Sequence, residues 1–187
     1  MGYFPFFINI EKKKCVIVGG GRVAYRKLIK LLPFGCSVTV IAPEIHSELY
    51  AAENVCIEKR AFDDSDLDGA FMVVSATDDR DLNRHIFELC TERGILVNTV
   101  DDLQNCSFLF PALATRSGVT VGIATSGEAP LYARHLREKT EQELQRDEEL
   151  IVRLKKARKS GKEMFRTEQE RKAALEEILQ QYDTEGN

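Results

Sequence analysis

Val16-Ile-Val-Gly-Gly-Gly-Arg-Val-Ala24 is the stretch that decides the fold. An apolar run opens into three glycines. These open into a segment whose apolar residues, Ala24, Leu28, Leu31 and Leu32, are spaced like one face of a helix. Strand, glycine turn and helix, in that order, make the first half of a dinucleotide-binding unit. Gly19 and Gly21 fit the first two positions of G-x-G-x-x-G/A, and Ala24 fits the third. Gly19 permits the tight turn. Gly21, lacking a Cβ, lets backbone approach a pyrophosphate. Ala24 lets helix and strand pack closely. The free N–H groups and the positive end of the helix then face the phosphates.

A glycine-rich turn between any strand and helix would look similar. The second strand, Cys36-Ser-Val-Thr-Val-Ile-Ala42 after a break at Gly35, strengthens the nucleotide reading. One feature departs from the fingerprint. An acid is expected about 20 residues past the glycines, at the end of the second strand, to hold the ribose. Ala42 and Pro43 stand there, and Glu44 comes slightly late. Either Glu44 reaches the ribose, or backbone atoms of Pro43 and Glu44 line the adenosine pocket. No basic residue at the strand end offers to pair with a 2′-phosphate, which favours NAD over NADP.

The 187 residues, 43% hydrophobic and 30% charged, suffice for one α/β domain and a smaller appendage. A net charge of −4 argues against nucleic acid as a partner. No apolar run approaches the roughly 18–20 residues that would span a membrane. Residues 1–7 are aromatic but lack a basic region and a cleavage site, so they read as mature sequence. Phe6 stands where a myristoylation signal would need Ser or Thr. The five cysteines are scattered and odd in number, as expected of free, buried thiols in a reducing cytoplasm.

Residues 3–10 read as an apolar strand or arm, 45–52 as a short helix and 55–60 as a charged edge strand. The acidic run 63–68 reads as a helix start; it lacks the Gly and terminal Glu of a calcium loop. Phe71-Met-Val-Val-Ser-Ala-Thr77 reads as a strand buried on both faces, ending in the small residues Ser75, Ala76 and Thr77, which leave room for a cofactor. A helix from Asp79 or Asp81, stopped at Gly94, precedes the strand 95–100. Strands alternating with helices fit a parallel, right-handed βαβ sheet.

Asn98, Asp101 and Asp102 stand at the last strand's carboxyl end. Asp101 is there the best-placed acid/base group, with turn-capping as its plainer alternative. Residues 107–114 and 119–124, joined at Arg116-Ser-Gly118, read as an antiparallel hairpin. Residues 125–130 lead into a helix with Pro130 in its first turn, carrying Arg134, His135 and Arg137. Those charges suit an anionic substrate or a solvated face. Residues 144–159 and 163–182 read as charged amphipathic helices broken at Ser160-Gly161. Phe165, Leu175, Ile178 and Leu179 form a thin stripe in the second, and the tail 183–187 reads as frayed.

Taken together, these segments resemble the precorrin-2 dehydrogenase / sirohydrochlorin ferrochelatase family of siroheme biosynthesis. The motifs are Tyr3-Phe-Pro-Phe-Phe, Val18-Gly-Gly-Gly-Arg-Val-Ala-Tyr-Arg-Lys27, Ala76-Thr-Asp-Asp-Arg-Asp-Leu-Asn83, Asn98-Thr-Val-Asp-Asp102, Cys106-Ser-Phe-Leu-Phe-Pro111, Thr125-Ser-Gly-Glu-Ala-Pro130 and Ala133-Arg-His-Leu-Arg-Glu-Lys139, covering roughly residues 1–140 in order. The resemblance implies an α/β fold: a Rossmann-type parallel sheet over residues 1–106, a small α+β dimerisation segment over 107–145, and a helical segment over 146–187.

It also implies NAD-dependent oxidation of precorrin-2 to sirohydrochlorin in a cytoplasmic homodimer whose 107–145 segments interlock. Some members also insert Fe²⁺ as a substrate. The family's cofactor contacts fall on Gly19, Gly21, Arg22, Val23, Pro43 and Glu44, with Gly20, Ser75, Ala76, Thr77 and Asn98 beside them. Its key aspartate falls on Asp101. Its serine after the hairpin falls on Thr125, with Ser126 next to it. Arg116, Arg134, His135 and Arg137 are counter-charges for the carboxylates of precorrin-2. No histidine–cysteine cluster suggests a resident metal.

Two other readings compete. One is a non-catalytic NAD-sensing regulatory module, which needs no carboxylate at the crevice. The other is a chelatase that has lost oxidation, which needs no intact glycine turn.

Overall fold

The computed structural model describes residues 3–164 and 167–184. Two compact units divide the chain between Phe110 and Pro111. The first is an α/β unit of five parallel strands, β1 (Lys14–Val18), β2 (Ser37–Ile41), β3 (Val55–Glu58), β4 (Met72–Ser75) and β5 (Leu96–Thr99). Its helices are α1 (Arg22–Leu31), the single turn α2 (Ser47–Tyr50) and α3 (Arg80–Glu92). The strand order is β3-β2-β1-β4-β5. That order reverses direction between β1 and β4, which makes a Rossmann sheet with its crevice at that reversal.

Alternation along each strand builds two cores. Cys15, Ile17, Val38, Val40, Met72 and Val74 pack with Ala24, Leu28 and Leu31 of α1. Val16, Val18, Ile41, Val73 and Val97 pack with Ile86 and Cys90 of α3. Both faces of the sheet are covered, so the strands read as near-continuous apolar runs. The charged strand 55–58 lies at one edge, as its composition suggested.

The acidic run forms a 3₁₀ turn over Asp64–Leu67, closed by a capping box in which Asp63 and Asp66 satisfy each other's backbone. Arg60 pairs with Asp66 there.

Departures from the sequence reading arise where contacts between distant segments intervene. Of the two alternatives for residues 3–10, they form an arm and not a strand, with Phe4, Phe6 and Phe7 exposed. The first hairpin strand begins at Ala112, not at residue 107. Residues 106–108 instead turn back along β5: Asn98 bridges Cys106 antiparallel, and the Ser107 amide donates to the Val97 carbonyl at 2.8 Å. Phe108 and Phe110 then cover the core on the α1 side. This strap shields the outer edge of β5.

In the second unit, β6 (Ala112–Arg116) and β7 (Val119–Ile123) pair antiparallel. Positive φ at both Ser117 and Gly118, 48° and 75°, makes the two-residue connection a mirror-image turn that matches strand twist. The helices are α4 (Pro130–Arg146), α5 (Glu148–Met164) and α6 (Glu168–Thr184). Pro130 sits at the start of α4. Leu144 belongs to α4, and the break expected at Ser160-Gly161 does not occur, because α5 runs through it. Gly161 is buried, and with Ala157 and Ser160 it faces a small cavity shared with Ala174 and Leu175 of α6. Close approach of α6 offsets the roughly 1 kcal/mol that a glycine costs inside a helix. Phe165 and residues 185–187 of the tail lie outside the described residues. No helix among the described residues is long and apolar enough to cross a membrane.

Two outcomes follow. Leu28 is fully buried, so Leu28→Ala should lower unfolding free energy by roughly 2–5 kcal/mol in urea titrations. Asp66 is held below the ordinary carboxylate range chiefly by its hydrogen bond from Arg60. A carboxylate lowered in the folded state stabilises above its unfolded value and loses that contribution as pH falls through the folded one. The melting-temperature gap between the native chain and Asp66→Asn should therefore close as pH falls below about 4.

Candidate functional site

The carboxyl ends of four strands come level through strand pairing. Val18 pairs with Ile41 and with Ser75, and Ser75 pairs with Thr99. The turns that follow, at 19–21, 43–44, 76–78 and 100–102, therefore open on one edge of the sheet. Gly19 donates to the Ile41 carbonyl at 2.9 Å, the Ala76 amide to Val18 at 2.8 Å, and the Val100 amide to Ser75 at 2.9 Å.

The three glycines have different reasons. Gly19 has φ +121°, and a Cβ there would lie 2.2 Å from the Ala76 carbonyl oxygen. At Gly20 a Cβ would lie 1.9 Å from the Glu44 carbonyl oxygen. The Gly20 carbonyl also accepts from the His46 amide at 2.8 Å, which ties the loop after β2 to the glycine turn. Gly21 differs. Its φ of −88° suits any residue, and a Cβ would meet nothing within 4 Å. Neither backbone conformation nor packing excludes a side chain there, so the glycine leaves open space at the start of the helix.

Gly21 is also the N-cap of α1. It makes no side-chain cap, and no acid stands in the first turn. The first N–H groups of α1 have no intrahelical acceptor. An open cradle over an uncapped, positive helix end fits a pyrophosphate. Arg22 is exposed beside it, and Val23 is half-buried. Pro43 and Glu44 are both exposed across the turn from Gly20. The nucleotide group fits the residues present.

Ser75 and Thr77 are engaged with the protein itself. Ser75 Oγ donates to Asn83 Oδ1 at 2.7 Å, Thr77 Oγ1 donates to the same oxygen at 2.6 Å, and Asn83 Nδ2 donates back to the Thr77 carbonyl at 2.9 Å. Asn83 is buried on the inner face of α3. This knot holds the turn after β4, leaving Ala76 and backbone to line the crevice. The polar side chain at a core-facing position of α3 was its only sign in the sequence.

Asp101 is exposed and has φ +59°, a left-handed conformation that Asp tolerates better than most residues. Its carboxylate makes no hydrogen bond or ion pair among the described residues. Capping falls instead to its neighbour: Asp102 accepts from the amides of Gln104 and Asn105 at 3.2 and 3.3 Å. The plainer alternative for Asp101 is thus taken by Asp102, and Asp101 is left facing solvent at the end of β5.

Asn98 is buried and fully engaged. Its Nδ2 donates to the Phe108 carbonyl at 3.0 Å and to Cys106 Sγ at 3.4 Å, and its Oδ1 accepts from Lys27 Nζ at 3.2 Å. Lys27 ends one of the motifs, but the sequence assigns it no role. It sits at the i+3 position from Ala24, on the apolar face of α1, where a lysine is out of place. Its ammonium lies 4.3 Å from the centre of the Phe110 ring. Burial first, and then the charge of Lys30, lowers its pKa to about 8.

The residues expected to meet an anionic substrate all lie in the second unit. Arg116 is bound to Glu148 through two hydrogen bonds, at 2.9 and 2.7 Å. Arg134 pairs with Glu138 at 2.8 Å, and Arg137 with Glu141 at 2.5 Å. His135 is exposed, its ring 6.4 Å from that of Tyr132. Thr125 is half-buried, its carbonyl bonded to the Glu128 amide at 3.0 Å, and Ser126 is exposed with φ +53°. Each arginine already has an acidic partner, so an incoming carboxylate would exchange for one. Among the described residues no three His, Cys, Asp or Glu side chains converge as a metal site.

Comparisons with known proteins bear on the family and the fold. A family model described as "Putative NAD(P)-binding" matches residues 6–112. Over 144 residues, the chain is 44% identical to a siroheme synthase of Thioalkalivibrio sulfidiphilus and 45% identical to one of Photorhabdus laumondii. Each alignment covers 75% of this chain but only 29% and 31% of those relatives, so the chain spans about three-tenths of their length. A solved structure titled SirC, precorrin-2 dehydrogenase, has the same fold, with a TM-score of 0.79 at 22% identity. That match covers 94% of this chain and 89% of the other.

The three glycines yield a graded expectation. Gly20→Ala should destabilise strongly, since its Cβ would meet backbone. Gly21→Ala should melt within about 2 °C of the native chain, because surface changes are usually within 0.5 kcal/mol, yet bind NAD at least about tenfold more weakly. Thermal melts and calorimetric titration with NAD would check both.

Proposed function

This chain belongs to the NAD(P)-binding family that it matches over residues 6–112, and on that premise we propose that it is an NAD-dependent dehydrogenase oxidising precorrin-2 to sirohydrochlorin. The observation that carries the reading is the pairing of an open glycine cradle at Gly21 with Asp101, a carboxylate that has no hydrogen bond or ion pair among the described residues, on one edge of one sheet. A sensor of nucleotide would need the first and not the second. The relatives named siroheme synthase and the fold shared with a precorrin-2 dehydrogenase support the choice of substrate.

Gly19, Gly20 and Gly21 with the first turn of α1 would hold the pyrophosphate of NAD. Arg22 would flank it, and Pro43 and Glu44 would line the adenosine side. Ala76 leaves space between the phosphate turn and β5, while Ser75 and Thr77 hold that turn open through Asn83. When bound, the nicotinamide ring supplies the hydride acceptor. Oxidation of the macrocycle also releases a proton, and Asp101 is the group that takes or relays it. The protein thereby supplies position and charge, and the electronics belong to cofactor and substrate.

Arg116, Arg134, His135 and Arg137 would meet the substrate's carboxylates, and Thr125 and Ser126 would offer hydroxyls to it. Residues 107–145 would interlock two copies, giving the two-stranded β6–β7 sheet the partner that such a ribbon needs for stability. Asp101 is also the base available for insertion of Fe²⁺ as a substrate, where pyrrole protons must leave. Five free cysteines suit a reducing cytoplasm.

Supplying precorrin-2 with NAD, then Fe²⁺, and following absorbance tests both activities. NADH should appear as precorrin-2 is consumed. Asp101→Asn keeps the left-handed turn while removing the charge. It should fall at least about 100-fold in kcat with an unchanged melting temperature. A normal rate in that variant would remove Asp101 from the chemistry.

A further inference from the structure

Lys27 occupies a position that stability alone does not explain. It stands on the apolar face of α1, in register with Ala24, Leu28 and Leu31, which are all buried. Methionine would fill the same volume without a charge. The ammonium is nevertheless held in place by two contacts, Asn98 Oδ1 at 3.2 Å and the face of the Phe110 ring at 4.3 Å.

The contact with Asn98 has a directional consequence. An amide can turn over, exchanging its oxygen for its nitrogen at nearly the same shape. An ammonium only donates. Facing Lys27, Asn98 must present Oδ1, and Nδ2 must then point to the Phe108 carbonyl and Cys106 Sγ. Cys106 Sγ in turn accepts from the Thr99 amide at 3.2 Å and lies 3.1 Å from the Asp102 carbonyl. Residues 99 and 102 flank the turn that carries Asp101. The chain of contacts therefore runs from α1, through Asn98 and Cys106, to both shoulders of that turn.

We propose that Lys27 is a positioning residue of the dehydrogenase site: its ammonium and the Phe108 carbonyl hold the Asn98 amide between them, and that amide clamps the turn presenting Asp101. The inference rests on the dehydrogenase reading for its effect on rate, and on the geometry alone for the clamp. The groups acting on the ammonium are Lys30 and Arg26 of α1, which oppose its charge, and Cys106 and Asp101, which favour it; Asn98 and Phe110 are its neutral neighbours. Burial is the largest influence, and together they bring its titration to about pH 8. Above that pH the charge-assisted bond to Asn98 Oδ1 is lost, and the Phe108 carbonyl alone is left to hold the amide.

Three variants and two measurements test this. In the precorrin-2 and NAD assay, Lys27→Met should lose roughly ten- to hundredfold in kcat/KM, the scale of a charge-assisted hydrogen bond. In the native chain kcat/KM should fall as pH rises through about 8. Lys27→Arg, which stays charged, should retain most of the rate and shift that fall to higher pH; Lys27→Met should lack it.

The second measurement needs no ligand. A lysine whose folded pKa lies below its ordinary 10.5 binds fewer protons folded than unfolded between about pH 8 and 10.5. Its contribution is therefore least favourable below pH 8 and improves up to pH 10.5. The melting temperature of the native chain should rise across that window relative to Lys27→Met and to Lys27→Gln, the latter serving if the former does not fold.

A native enzyme that turns over while Lys27→Met matches its rate and pH profile overturns the proposal. An identical melting profile in native and variant chains overturns the buried charge beneath it. A native chain with no turnover overturns the dehydrogenase reading, and with it the effect of Lys27 on rate, while the melting profiles still decide the buried charge.

Discussion

Parallel pairing in register is the constraint on which the first unit depends. Val18, Ile41, Ser75 and Thr99 end their strands at one level because β2, β1, β4 and β5 are hydrogen-bonded without offset. A slip of one residue would turn every side chain to the opposite face and lift one turn away from the others. Both cores resist it. Ile17, Val40 and Val74 are buried on the α1 side, and Val16, Val73 and Val97 on the α3 side. The position of the crevice follows from hydrophobic burial well away from it. The glycine turn, the Asn83 knot and the Asp101 turn are each local solutions built at the end of that common ladder.

Most of the first unit could be read from the chain because its signals are local. Alternating apolar runs, the three glycines, Asp79 capping α3 and Gly94 after it are all short-range patterns with direct physical causes. Long-range contacts decided the rest. Residues 107–110 look like the start of a hairpin strand, and what recruits them is the open edge of β5, 10 residues earlier through Ser107. Ser160-Gly161 has the composition of a break, yet packing against Ala174 and Leu175 keeps α5 continuous. Tertiary packing outweighed propensity in both places.

The candidate site was legible in the same uneven way. Gly19, Gly21 and Asp101 stand out by residue type at a strand end. Lys27 and Asn83 do not, because each is a polar residue within an amphipathic helix and becomes informative only when its partner is known. Asn98, Ser75 and Thr77 stood out for their position, but their side chains turn to Lys27, Cys106 and Asn83. Their polar atoms hold backbone in place, and the backbone lines the crevice. The arginines of the second unit show a related limit: the sequence displays positive charge, and only the fold shows Glu148, Glu138 and Glu141 already paired with it.

The unequal demands on the three glycines also bear on descent. A lineage that stopped using the nucleotide would still need glycine at 19 and 20, where backbone oxygens of Ala76 and Glu44 exclude a side chain. It would be released at 21, where the fold makes no such demand. Across related chains, side chains appearing at that one position, beside two unchanged glycines, would therefore mark the members that have given up the cofactor. With Gly21 holding the nucleotide as proposed, the third glycine is a record of use, and the first two are a record of architecture.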